Sequence, residues 1–456
     1  MKQTLFMIAL TLLGTGGSLV KPLCGVLIYY LFAVLRPQYI WAWALPPDVP
    51  WSEYVAVPTI AVAALFLLFR SANRDQSTAN AYSPRAYGAV HLVTLLFAAW
   101  IALSYFTARN QDAAWPWFLE YLKIFLMFFA SAVLIRSVND VWWVMVVAAI
   151  ALGYIAFEVN LMYLTTRYMG IYFNGYGGLD NNGAGLMLAM GVPLCLFLWM
   201  STDRLWRWGF AALIPFILHA VLLTFSRGAM VALIAASPLF FMRGKHRLQL
   251  AIAFLAVVII LPMLAGREVR REFFSTTRYE DDPSAMSRFD TWSAGWRLGL
   301  DYPVFGVGVR NSKLYLHEYG GEVLRDRAIH NQYLQTLADS GFPALGLYLL
   351  MLGVMVLGLR RVRRWARRRT DEEARCAFAL ACGVEGSLAV FCVGGVFLSL
   401  EVFELPYLLL LLGAQLPLVL NMAAAQSPAD QPARVVAAGA RPLVGAPPAM
   451  RPVTRV

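Results

Sequence analysis

The sequence predicts an all-α, polytopic membrane protein of about 12–13 transmembrane helices with one long, partly helical outer loop. Three observations predict it. Hydrophobic residues make up 59% of the chain and charged residues 14%, against roughly one half and one quarter in soluble domains. Apolar runs of about 20 residues, enough for a helix to cross a bilayer, recur along the chain. They are continuous rather than alternating, which argues against a β-barrel. Third, the interval 267–331 breaks this pattern. It carries both charge signs, Trp292, Trp296 and a closing His330-Asn331-Gln332-Tyr333, and it lies between two apolar runs.

Taken in order, residues 4–20 and 23–36 are short apolar runs separated by Lys21-Pro22. They are either two tight spans or one hairpin. Residues 37–53 are rich in Trp and Pro, as at an aqueous interface with an aromatic belt. Run length then places spans at about 54–70, 86–106, 117–135 and 141–164. The Gly- and Asn-rich stretch 170–185 marks a turn. Further spans follow at about 183–200, 207–224, 226–242 and 248–265, and after the loop at about 341–359, 376–398 and 401–420. The expected regions are 1–130, 131–265, the loop 266–340, 341–421, and a disordered, Ala/Pro-rich cytoplasmic tail 422–456.

Orientation follows from the Arg-rich segment 360–369, which directly follows a span and is placed in the cytoplasm. Alternation puts Arg243, Lys245, His246, Arg247, Arg204, Arg207, Arg136 and the loop 70–85 on the same side. The long loop therefore faces outward. With 13 spans the N-terminus is outside; with 12 it is inside. The net charge of +11 is the charge bias of cytoplasmic loops, so nucleic acid is not expected as a partner; the lipid bilayer is. The five Cys form no C-x-x-C pair, and neither a disulfide framework nor a zinc site is indicated.

Few residues outside the spans could carry chemistry. Arg227 sits in Thr224-Phe225-Ser226-Arg227-Gly228, a nearly absent loop between two spans. Its guanidinium can grip two phosphate oxygens or simply anchor a helix end among headgroups. In the loop, Asp282-Pro283 opens a helix that runs to about Leu300 and stops before Tyr302-Pro303. Met286, Phe289, Trp292 and Trp296 recur at helical spacing and predict an apolar face on the membrane domain. Arg288, four residues before Trp292, either binds an anion or stacks on the indole. His330 opens a short helix that Gly341 ends; it is a base or a structural histidine. Asp180-Asn181-Asn182 binds sugar hydroxyls or makes an Asx turn. The acidic cluster Glu280-Asp281-Asp282 could hold a metal, but Asp282 already has a capping role, and no metal or cofactor is expected.

Four stretches, in this order and spacing, resemble the O-antigen ligase and polymerase superfamily of bacterial membrane glycosyltransferases. They are DNNGAGLMLAMGVPL at 180–194, FSRGAMVAL at 225–233, SRFDTWSAGWRLGLDYPVFGVGV at 287–309 and IHNQYLQTLADSGFPALGLYLLML at 329–352. VLRPQYIWAWALP near the start and YEDDPSAMSR at 279–288 resemble the subgroup of O-glycosylation ligases associated with exosortase systems. The resemblance implies an inner-membrane enzyme that works at the periplasmic face. A glycan carried on undecaprenyl pyrophosphate would pass, with inversion and without metal, to a hydroxyl of a glycan, protein or lipid acceptor. It implies that Arg227 and Arg288 bind the pyrophosphate and that His330 orients or deprotonates the acceptor. Asn182, Asn331 and Tyr333 are carried over as substrate-binding. A polysaccharide polymerase is the related alternative. A flippase of lipid-linked sugars is the unrelated one, and it would need ionisable groups such as Glu158 inside the spans.

Overall fold

A computed structural model describes residues 2–46, 48–72, 88–202, 205–242, 252, 256, 283–400 and 402–426. Among these the chain is helical, with one isolated bridge between Tyr176 and Leu179 and no strand. Eight helices are long and apolar enough to cross a membrane, and four further apolar helices are shorter. The protein is thus an all-α, multi-pass membrane protein. The expected span at 248–265 apart from residues 252 and 256, the start of the loop at 266–282 with its acidic cluster, most of the basic loop 70–85, the basic stretch 243–247, Arg204, and residues 427–456 of the tail lie outside the described residues.

The first two helices, α1 (Lys2–Val20) and α2 (Leu23–Leu35), pack on each other. Small residues allow the approach: an added Cβ at Gly14 would meet Ile28, and one at Gly25 would meet Ser18 and Thr59. Thr4 Oγ1 donates to the Ala44 carbonyl at 2.9 Å, so the chain start returns to the end where α2 finishes. The two helices thus run back on each other. With 13 residues, α2 is about 20 Å long, short of the roughly 30 Å hydrocarbon core. A four-residue helix, α3 (Pro37–Ile40), follows, and α4 (Trp51–Ala72), α5 (Ala89–Phe106), α6 (Gln111–Leu134) and α7 (Val138–Thr166) come next. After the short α8 (Gly170–Asn174) come α9 (Asn181–Ser201), α10 (Arg207–Leu223) and α11 (Arg227–Phe241). Helix α9 is the buried centre of the bundle, packed between α10 and the late helix Glu372–Gly394.

The loop carries α12 (Pro283–Asp301), α13 (Ser312–Tyr315) and α14 (His317–Gly320). The bounds of α12 agree with the Asp-Pro start and the Tyr-Pro stop, but its buried face does not agree with the aromatic pattern. Phe289 and Trp296 are 57% and 46% exposed. The buried face is Thr291, Ala294, Gly295, Leu298 and Gly299. Gly295 lies against Ile329 and Gly299 against Leu337. Small residues won because helix backbones can come close there, whereas Trp and Phe would hold them apart. A second small core, separate from the membrane core, forms under the loop from Ala294, Leu298, Val307, Leu316, Leu324, Ile329 and Ala338.

The last helices are α15 (Gln332–Ala366), α16 (Glu372–Gly394) and α17 (Glu404–Gln426). Gly341 does break α15, with φ 82° and ψ 175°, but the helix resumes beyond it as a bent element of 35 residues. The break survives because the loop fills it. Val307 N–H donates to Ala338 O at 3.0 Å and Gly308 N–H to Asp339 O at 2.9 Å. Ser104 Oγ also donates to Asp339 O, and Trp100 Nε1 donates to Ser340 O at 3.0 Å. On the far side Phe342 N–H donates to Pro303 O at 2.8 Å. The Pro303-Val304-Phe305-Gly306-Val307-Gly308 run is therefore a backbone splint for a broken helix. It meets the rule that freed polar groups at membrane depth must find partners.

A candidate active site at the loop end of the bundle

The loop, the end of α2 and the starts of α4, α6, α9, α11, α15 and α17 share one end of the molecule. Among the described residues, six non-glycine residues have positive φ: Arg36, Arg167, Phe225, Arg310, Asp326 and His330. All lie in connections at this loop end. Such left-handed backbone costs L-residues about 1–2 kcal/mol each and persists where the surroundings over-determine it. The pattern marks this end as the place where the fold stores strain.

His330, with φ 52°, stands between two fixed points. On one side Ile329 is fully buried beneath α12. There Thr291 Oγ1 donates to Arg288 O at 2.9 Å and reaches Ile329 O at 3.3 Å, which ties the Arg288 turn to the histidine. On the other side Asn331 caps α15, its Oδ1 accepting the Tyr333 and Leu334 N–H groups at 3.0 and 3.1 Å. Gln332 N–H donates to Gly395 O at 2.7 Å, and Gln332 Oε1 accepts Leu400 N–H at 2.7 Å. The Tyr333 hydroxyl donates to Cys392 O at 2.8 Å.

The segment 395–400 that holds Gln332 also touches the other two expected pieces. An added Cβ at Gly228, next to Arg227, would meet Phe397, and one at Gly183, next to Asn182, would meet Leu400. The connections that carry Asn182 and Arg227 are bonded to each other as well. Asn181 Nδ2 donates to Thr224 O at 3.0 Å, and Ser226 Oγ to Asn182 O at 3.4 Å. Ser226 caps α11, so Arg227 is its first helical residue. Asp180 caps α9, its Oδ1 accepting Gly183 N–H at 2.7 Å. The packing thus gathers Arg227, Asn182, Arg288 and His330 around one connection. Of the six expected site residues, Asn331 caps α15, the Tyr333 hydroxyl is bound to Cys392 O, and the Asn182 amide donates to Asn181 Oδ1 at 3.3 Å.

Burial holds the His330 pKa below its usual value of 6.5, and the positive charges of Arg288, Arg310 and Arg327 push the same way, while Asp180 opposes them. The imidazole is neutral at pH 7 and able to accept a proton.

At the same end of the bundle opens a chamber of about 680 Å³, lined by Arg310 but not by His330. Its walls include Arg36, Trp117, Lys123, Leu179, Arg310 and Glu404. Arg36 is bound to the Gly177 carbonyl and pairs with Glu404 at 3.0 Å. Lys123 pairs with Glu53 at 2.7 Å and Glu120 at 3.1 Å. The Arg310 guanidinium carbon lies over the Trp117 ring, 4.7 Å from its centre. Sequence reasoning missed Arg310 and the chamber. Its one local signal is the Gly-containing turn that Arg310 follows, and the partner Trp117 comes from a distant helix.

No curated protein matches the chain. The stretch that carries Arg227, Arg288, Arg310 and His330, residues 216–349, matches the family model described as O-Antigen ligase, and that match supports a place for this chain in the O-antigen ligase superfamily.

Proposed function

We propose that the protein is an inverting, metal-independent glycosyltransferase of the inner membrane that works at its periplasmic face. It moves a glycan from undecaprenyl pyrophosphate to an acceptor hydroxyl. The acceptor oxygen attacks the anomeric carbon, the bond from that carbon to the pyrophosphate oxygen breaks, and the acceptor proton passes to His330. Arg227 and Arg288 hold the pyrophosphate and offset the charge that grows on it as it leaves. Asn182 lies beside them for the donor's polar groups. The observation that carries this reading is His330: a half-buried histidine on left-handed backbone, its pKa lowered first by burial and further by nearby arginines, Arg288 among them. A neutral base beside fixed cations suits removal of a proton from one reactant and stabilisation of an anion on the other.

The exosortase-associated resemblance favours a protein or exopolysaccharide acceptor over a lipid one. The test uses purified protein in detergent with EDTA, a synthetic undecaprenyl-pyrophosphoryl oligosaccharide and a panel of acceptors. Acceptor-dependent release of undecaprenyl pyrophosphate is expected, and the acceptor that works names the branch. Release that requires added divalent metal, or that is equally fast with no acceptor, would contradict the reading.

A further inference from the structure

Of the three cations that face the chamber, two are neutralised within the protein. Arg36 has Glu404, and Lys123 has Glu53 and Glu120. Arg310 has no ion pair among the described residues, and its Nε is buried with no hydrogen-bond partner there. The nearby carboxylate of Asp339 is already engaged, accepting from Ser312 N–H at 2.8 Å and Gln335 Nε2 at 2.7 Å.

Its position is nonetheless built. The backbone at Arg310 is left-handed, with φ 58°. The turn is pinned on both sides: Asn311 Nδ2 donates to Asn110 O at 2.8 Å, and Ser312 N–H goes to Asp339. The guanidinium rests on the indole of Trp117. The contact with the ring leaves N–H donors of the guanidinium for another partner. Those donors belong to a residue that lines the chamber and whose charge acts on His330.

We propose that Arg310 is a third anion-binding residue of this site, holding a pyrophosphate oxygen of the lipid-linked donor from the chamber. This rests on the donor assigned above. Arg207 makes the comparison. It too has an unpartnered buried Nε and lies near indole rings, those of Trp199 and Trp208. It does not line the chamber, and it starts α10 at the opposite end of the bundle. Stacking alone therefore does not make a site; the place of Arg310 does. The carboxylate of an acidic sugar would use the same chemistry, and the sugar-free product separates the two sources.

The experiment measures binding of undecaprenyl pyrophosphate to the full chain in nanodiscs, for wild type, Arg310→Ala, Arg310→Lys, Arg288→Ala and Arg207→Ala. Arg310→Ala is expected to bind about 10- to 100-fold more weakly. Arg310→Lys should recover part of that loss, and Arg207→Ala should bind as wild type. In Arg310→Ala the acid limb of the pH–rate profile should also move to higher pH, a change that a packing defect would not produce and that Arg310→Lys should reverse. Wild-type binding by Arg310→Ala alongside weakened Arg288→Ala would overturn the proposal while leaving the donor assignment standing. So would normal binding of undecaprenyl pyrophosphate by Arg310→Ala with lost turnover of a glycan donor, which would make Arg310 a sugar reader. No binding by wild type would remove the donor assignment and this proposal together.

Discussion

The two ends of the bundle use arginine in opposite ways. At the Arg-rich end, Arg363 pairs with Glu385, Arg369 with Asp371 at 2.8 Å, and Arg136 lies over the Phe66 ring. Among the described residues, none of the positive-φ non-glycine residues is at that end. These are the arginines of topology, which hold helix ends in place and tolerate exchange for one another. At the loop end, Arg310 and Arg288 act together on one histidine, and the connections that carry them are strained or locked by backbone hydrogen bonds. Strain and locking are unnecessary for anchoring and useful for holding charge where a reaction needs it. Abundance of arginine therefore says where the membrane is, and backbone geometry says where the chemistry is.

Each substitution below tries to break that contrast. Arg288→Ala should lower turnover about 10²- to 10³-fold with normal membrane insertion, the usual loss when one donor to a developing anion is removed. Arg364→Ala, at the other end, should leave turnover within about twofold of wild type, since exposed charges there contribute little individually. Equal losses in the two variants, measured as release of undecaprenyl pyrophosphate, would erase the distinction. Gly341→Ala tests the splint. An added Cβ there would lie 2.1 Å from the Val304 carbonyl oxygen at a φ of 82°, so a stability loss of about 1–3 kcal/mol or more is expected in a thermal melt.

Asn331 separates scaffold from ligand. Asn331→Ser keeps a capping oxygen and should retain both stability and activity, while Asn331→Ala should cost about 1 kcal/mol of stability. An inactive but stable Asn331→Ser would make Asn331 a substrate contact. The smallest effect is expected at Glu158, whose carboxylate accepts the Tyr154 hydroxyl at 2.6 Å within α7. Glu158→Gln should leave turnover unchanged; a large loss there would favour a coupled transporter.

Much of the fold was legible because bilayer thickness sets helix length, and run length reads it directly. The bounds of α12 were legible for a local reason, the Asp-Pro start and the Tyr-Pro stop. Its buried face was not, because the contact that decides it is the fit of Gly295 and Gly299 to Ile329 and Leu337 from another element. Gly341 was legible as a break. That the helix resumes depends on the Pro303–Gly308 backbone entering the gap, which no local pattern states. Arg227, Asn182, Arg288 and His330 lie at the loop end, and the motifs that carry them were legible as sequence. Arg310 was invisible, since a lone arginine becomes notable only once Trp117 is beneath it and the neighbouring cations are seen to be paired.

In the proposed reaction His330, in its neutral form, takes the acceptor proton. The pH dependence of undecaprenyl pyrophosphate release, for wild type and His330→Ala with the same acceptor, tests it most directly. Because the folded pKa lies below 6.5, wild type should be fully active at pH 7 and lose rate as pH falls through that pKa. His330→Ala should be slower by about 10²- to 10⁴-fold, without that acid limb. A variant that keeps both the wild-type rate and the wild-type profile would contradict the account.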